Sequence, residues 1–300
     1  MSGTMSPRRR FLITQARAAA GIAMLTSGSG MKTASAGALA GKPNLPDFVE
    51  LAFHQTSQCL FKARTDAVYR SRDGGRQWTS VDLPPASSSR RVQSIAVSAG
   101  GKGALYVAGP GIGVLRSDDG GRNWSARNEG LTDTNVTALA THADRPETVY
   151  AYINDRGIFR SEDGGQRWRL MDAGPRGGVM RFVHSNMPGS MQSGWLFVAG
   201  PHGVRRAMDC FCSWRDAGDL GRPVRAVNYD PRQPQNVYAA TDAGLVFSTD
   251  GGETWSQMSA PAVIVEALVV TSGGVLYAAE ANGNVFRRSG IATPWERLDA

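Results

Sequence analysis

One recurring motif limits what this chain can fold into. Segments 71–78, 117–124, 161–168 and 248–255 each read Ser-x-Asp-Gly-Gly-x-x-Trp. The closing tryptophans continue into two degenerate copies, giving Trp78, Trp124, Trp168, Trp214, Trp255 and Trp295 at intervals of 40–46 residues. Of the seven tryptophans only Trp195 falls off this lattice. A fixed period of this size marks a repeat architecture, because one such unit cannot bury its apolar face alone.

Each copy carries further strand signals. An apolar residue followed by an aromatic precedes every Trp by 17 or 18 residues: Leu60-Phe61, Leu105-Tyr106, Val149-Tyr150, Leu196-Phe197, Val237-Tyr238 and Leu276-Tyr277. A Val-x-x-apolar run lies ahead of each pair, from Val49, Val92, Val136, Val179, Val224 and Val265. A third apolar pair, such as Val114-Leu115, leads into the motif, and the Trp opens a fourth strand. These short β-branched and aromatic runs are separated by Gly, Pro and Asp, and the chain holds 36 glycines, as closely spaced strands require. The pattern predicts an all-β fold, a six-bladed β-propeller of four-stranded antiparallel blades over residues 41–300. A linear solenoid would need polar capping units at its ends, and neither end copy has that character. The ring is expected to close by packing blade six on blade one, with no strand borrowed from the N-terminus.

The motif suits a tight turn between the third and fourth strands. Its glycines permit positive φ, the Asp accepts hydrogen bonds from the turn's own N–H groups, and the Trp buries an apolar face while its N–H seeks an acceptor. On this reading Asp73, Asp119, Asp163, Asp209 and Asp250, with Trp78, Trp124, Trp168, Trp214 and Trp255, are scaffold. Single carboxylates one repeat apart form neither a catalytic pair nor a calcium cage. Ungapped alignment of segments 157–168 and 203–214 puts Asp209 on Asp163, and Cys210-Phe211 on the glycine pair. Cys210 and Cys212 then share a turn, as bridged thiols, free redox-sensitive thiols or soft-metal ligands. In the last copy Gly290 replaces the Asp, which predicts a looser turn.

The repeated motif resembles the Asp-box (BNR) repeat, similar to those of sialidases, xyloglucanases, sortilin-type receptors and the photosystem II stability/assembly factor family. The resemblance covers residues 44–300 and implies the propeller. It leaves function open, because one repeat type serves hydrolases, receptors and assembly factors alike.

The first forty residues read as an address. Arg8-Arg9-Arg10-Phe11-Leu12 resembles a twin-arginine export motif, although Pro7 stands where a polar residue is usual. A short apolar stretch follows from Ala18 to Leu25, with small-x-small cleavage sites ending at Ala36 and Ala40. The expectation is a periplasmic or secreted protein, touching a membrane only through an uncleaved signal. Residues 1–40 also carry five of the positive charges and no acid, so the net charge of +7 falls to +2 for the rest. That balance gives no electrostatic case for nucleic acid.

Propellers usually bind through the face where inner strands begin and where second and third strands are joined. That face is expected to gather Lys62, Arg64, Arg90, Arg91, Arg156, Arg176, Arg181, His202, Arg222 and Arg225 from blades one to four on one side, with Asp242, Glu266 and Glu280 from blades five and six on the other. Arginines suit carboxylate recognition. The candidate partner-binding set is Arg90, Arg91, Arg176, Arg181, Arg222 and Arg225, for a protein partner with an acidic segment; the assembly-factor resemblance implies the same mode. No catalytic set, cofactor or metal is implied. Four histidines fall at unrelated positions, no Phe-Arg-Ile-Pro element is present, and Gly109-Pro110-Gly111-Ile112-Gly113 reads as a turn. A sialidase-type glycoside hydrolase or a sugar-binding propeller is the alternative.

Overall fold

In the computed structural model, the described residues are 48–298, apart from 86, 88, 89 and 102. The expected leader lies outside them. Among the described residues twenty-four strands form six four-stranded antiparallel sheets, each built from four consecutive strands. Blade three shows the plan: Val136–Thr141 is innermost, followed outward by Val149–Ile153, Gly157–Ser161 and Arg169–Asp172. The other inner strands are Val49–His54, Ser94–Val97, Arg181–Ser185, Val224–Asp230 and Ala267–Val270. No helix occurs among the described residues.

The core is divided among the gaps between blades. Six apolar clusters exist, and each joins two neighbouring sheets. Phe61, Val68 and Ala63 of blade one meet Ile95, Val107 and Leu115 of blade two, and the pattern repeats round the circle. The sixth cluster brings Tyr277, Val285 and Leu298 of blade six onto Val49, Leu60 and Trp78 of blade one. Six interfaces for six sheets leave no exposed terminal sheet, so the ring closes as expected. Polar ties reinforce the seam: Lys62 Nζ donates to the Gly283 carbonyl at 2.8 Å, and Arg64 Nη1 to that of Asn282 at 2.7 Å.

Four boxes share one hydrogen-bond set. In blade two Ser117 Oγ donates to Asp119 Oδ1 at 2.8 Å and accepts from the Gly121 N–H, while Oδ1 also accepts from Arg122 and Asn123 N–H. Blades one and five repeat this arrangement, and blade three keeps all but one of its bonds. Both glycines have positive φ, 72° and 92° at Gly120 and Gly121. These bonds hold the carboxyls low, chiefly through the N–H of Gln77 for Asp73, of Asn123 for Asp119 and of Arg167 for Asp163. At Asp250 burial pushes upward, but the hydroxyls of Ser248 and Thr254 outweigh it and leave a pKa of about 2. Each later Trp reaches back to the preceding blade: Trp124 Nε1 donates to the Asp82 carbonyl, Trp168 to Arg127, Trp255 to Ala217 and Trp295 to Ser259, while Trp214 uses the Asp172 carboxylate.

Blade four departs from the alignment, and Asp209 is the correction. The residue in register with the box serines is Ala207, so no hydroxyl fixes the carboxylate over the turn. Asp209 instead turns inward, 1% exposed, and accepts from the Ser193 N–H and hydroxyl. Cys210 and Cys212 are joined in a disulfide. Phe211 between them takes φ 58°, the left-handed region that Gly165 occupies in blade three at 88°.

Removing a buried box hydroxyl strands a buried N–H. Ser161→Ala should lower unfolding stability in urea by about 1–3 kcal/mol. Ala207→Ser, at the matching place in blade four, should add no comparable gain, because Asp209 already has its partners. Because the box carboxyls titrate lower folded than unfolded, their contribution is complete above their unfolded pKa near 3.8 and is lost as pH falls below it, for Asp250 through about 2.

Candidate functional site

Antiparallel order puts two kinds of connection on each face of the ring. Turns from first to second strands and the Asp boxes share one face, called here the box face. Turns from second to third strands and the links between blades share the other, the entry face, where the expected arginines lie.

That face is less uniformly basic than the residue types imply. Arg225 Nη1 meets Glu266 Oε1 at 2.7 Å and Arg222 Nη1 meets Asp242 Oδ1 at 3.4 Å. The expected segregation of arginines from carboxylates is therefore corrected: one pair forms within blade five and the other between blades five and six. Lys62 is also corrected, being a buried strand residue with its ammonium 4.2 Å from the Trp78 ring centre. Arg90 Nη1 donates to the Gly111 carbonyl. Arg176 and Arg156 are exposed and Arg91 is half-buried, and none of the three has an ion pair among the described residues. His202 packs against Gly177, beside Arg176.

Arg181 leaves the surface for the axis of the ring. Its Nη2 donates to the Val49 carbonyl at 2.9 Å, its Nε lies 3.5 Å from Glu50 Oε1, and its guanidinium covers the Phe48 ring at 4.6 Å. Glu50 Oε2 in turn accepts the Ile95 N–H at 2.7 Å. Burial pushes the Glu50 carboxyl up, opposed by Arg181 and by that N–H. Blade four thus reaches blade one across the middle. An axial cavity of about 190 Å³ is lined by residues of the inner strands, including Glu50, Arg181, Thr141, Asn228 and Tyr229.

The sequence reading missed one polar cluster. His142 and His184 stack with ring centres 3.8 Å apart, and Asp209 Oδ2 lies 3.7 Å from His184 Nε2. His142 Nε2 is 2.7 Å from Ser193 Oγ, which also bonds Asp209. All three titratable residues are buried. The donor set does not suit a metal. His142 Nδ1 accepts the N–H groups of Asp144 and Arg145, and His184 Nδ1 accepts that of Ala143. Both Nδ1 lone pairs are engaged, so the protons sit on Nε2 and face Ser193 and Asp209. Nor is this a nucleophilic triad, since Ser193 Oγ gives its proton to Asp209 rather than to a histidine lone pair. Burial pulls His142 down to about 3, helped by His184 and Arg145. At Asp209 burial pushes up, but His184 and Ser193 outweigh it and hold the carboxyl low. A signal existed: His54, His142 and His184 all lie at or next to the ends of inner strands.

Residues 42–191 match the family model described as Photosynthesis system II assembly factor YCF48. The chain belongs to that family. A second model, BNR/Asp-box repeat, matches residues 246–257. None of the curated proteins matches this chain. Among solved structures, one titled "YCF48 bound to D1 peptide" is 17% identical, covering 85% of this chain and 82% of that one, with a TM-score of 0.56. YCF48 from Cyanidioschyzon merolae is 19% identical, covering 84% and 86%, at 0.51. The GH74 xyloglucanase from Xanthomonas campestris is 20% identical at 0.57, covering 83% of this chain but 47% of that one. A GH74 enzyme from Niastella koreensis is likewise matched over 46% of its length, so the chain spans about half of these enzymes. At such identities the likeness is one of fold.

Buried His142 makes stability depend on pH. His142 stays neutral in the folded state down to about 3, whereas unfolded chains protonate near 6.5. Unfolding therefore takes up a proton in that window, and stability falls with decreasing pH by up to about 1.4 kcal/mol per unit. His142→Gln should flatten the Tm profile between these limits; an unchanged slope would assign it to other groups.

Proposed function

We propose that this chain is an exported, non-catalytic propeller that docks an acidic segment of a protein partner on its entry face, through Arg91, Arg156 and Arg176. The carrying observation is selective pairing. Arg181, Arg222 and Arg225 are committed to carboxylates of the ring itself, whereas these three are not. Guanidinium groups without internal partners are open to the bidentate bonds that carboxylates accept. Family membership supports a partner-binding role, since a protein of the same family is solved with a bound peptide.

Two observations weigh against turnover at the axis. The Arg181–Glu50 pair spans the inner strands there, and the buried His142 cluster has its lone pairs engaged. The GH74 likeness keeps a hydrolase as the second reading. Export is supported by Arg8-Arg9 with the following Phe11-Leu12, and by the Cys210–Cys212 bridge, which suits an oxidising compartment.

Crosslinking and purification from cells should recover one dominant partner. Combined Arg91→Glu, Arg156→Glu and Arg176→Glu should cut its recovery by about tenfold, while Arg222→Glu, in an already paired position, should cut it far less. Equal recovery from both would remove the docking reading, and hydrolysis of xyloglucan or a sialoside by the purified chain would favour the second one. For export, Arg8→Lys with Arg9→Lys should retain the protein in the cytoplasm; continued export would contradict the twin-arginine route.

A further inference from the structure

The sixth blade holds a charge that its scaffold does not neutralise. Arg288 stands in register with the box serines, pairing with Leu276 as Ser71 pairs with Leu60 and Ser117 with Leu105. It is 3% exposed. Nε donates to the Gly290 carbonyl at 2.9 Å, and Nη1 donates to the Ser259 carbonyl and hydroxyl, both at 3.0 Å. The Trp295 ring lies 5.3 Å from the guanidinium carbon. All these partners are neutral, and Nη2 is buried with no hydrogen-bond partner among the described residues. Buried Arg206, by contrast, is ion-paired with Glu253, and Arg116 with Glu147 and Asp118. A buried charge left without its counter-ion is costly, and a guanidinium does not shed its proton to escape that cost. Burial pulls Arg288 below its ordinary value; at Arg116 burial pulls the same way but Glu147 and Asp118 outweigh it, and Asp230 raises Arg232.

Arg288 lines a cavity of about 200 Å³ between blades five and six, on the box face. Asp230 shares the lining, but Arg232 holds its carboxylate through Nη2 at 3.0 Å and Nε at 3.3 Å. One positive charge remains uncompensated. Met258, Leu276 and Ile291 form an apolar wall, and Ile291 at the rim is 51% exposed. A dianion would be repelled by Asp230 after neutralising the single charge; a carboxylate matches it.

We propose that this cavity binds a small monocarboxylate with an apolar body, its carboxylate on Arg288 and its chain against Met258, Leu276 and Ile291. The site is separate from the entry face. Its ligand is either a free organic acid or the C-terminal carboxylate of a peptide ending in an apolar residue. Calorimetric titration with hexanoate should give saturable binding, with hexan-1-ol weaker by about tenfold or more. Arg288→Met should lose hexanoate binding. Should that variant fail to fold, Arg288→Gln, whose amide still donates to a carbonyl but carries no charge, should lose the ligand while keeping Tm. A peptide ending in free leucine that binds more tightly than hexanoate, with its amide inactive, identifies a chain terminus as the source; hexanoate binding tighter identifies a free acid. No hexanoate binding to the folded native protein, or undiminished binding to a folded neutral variant at Arg288, overturns the proposal.

Discussion

No blade of this protein is stable by itself, because each four-stranded sheet has two apolar faces and can cover neither. Tyr150 of blade three and Phe197 of blade four are fully buried, and both belong to clusters that require a second sheet. Every sheet therefore depends on both neighbours, and the last neighbour of blade six is blade one. Much else follows from that mutual dependence. The tryptophan of each later blade bonds back to the chain leaving the blade before it, and arginines ahead of the boxes reach forward, Arg70 to the Gly120 carbonyl and Arg116 to that of Gly164. Polar groups are thus spent on holding adjacent sheets at fixed spacing.

The fold was legible because its determinants are local and repeated. A Trp lattice, paired glycines and an apolar–aromatic pair each recur within a single repeat, so they can be read along the chain. The face was not legible for the opposite reason. Whether Arg225 is available to a partner depends on Glu266, and whether Arg181 is available depends on Glu50; these residues meet only after the ring has closed. Residue type announced a basic surface, and pairing within the closed ring removed half of it.

Blade four shows how a local pattern can mislead. Asp209 holds the right distance from Trp214, but the box carboxylate is fixed by the hydroxyl two residues earlier, and Ala207 has none. That single missing oxygen was visible in the sequence. Freed from the turn, the carboxylate supports Ser193 and the two stacked histidines instead, and the turn is secured by a covalent bridge where other blades use glycines.

The Arg181–Glu50 contact has a geometric consequence of its own. It acts as a spoke across the diameter, and a diameter between two blades exists only when their number is even. In a wheel of five or seven sectors, the position facing blade one would be a gap, and the same side chain would find no facing carboxylate. The pair thus ties the polar chemistry of the hub to the count of sectors, so that adding or deleting one repeat would leave a buried acid and a half-buried base each stranded at the axis.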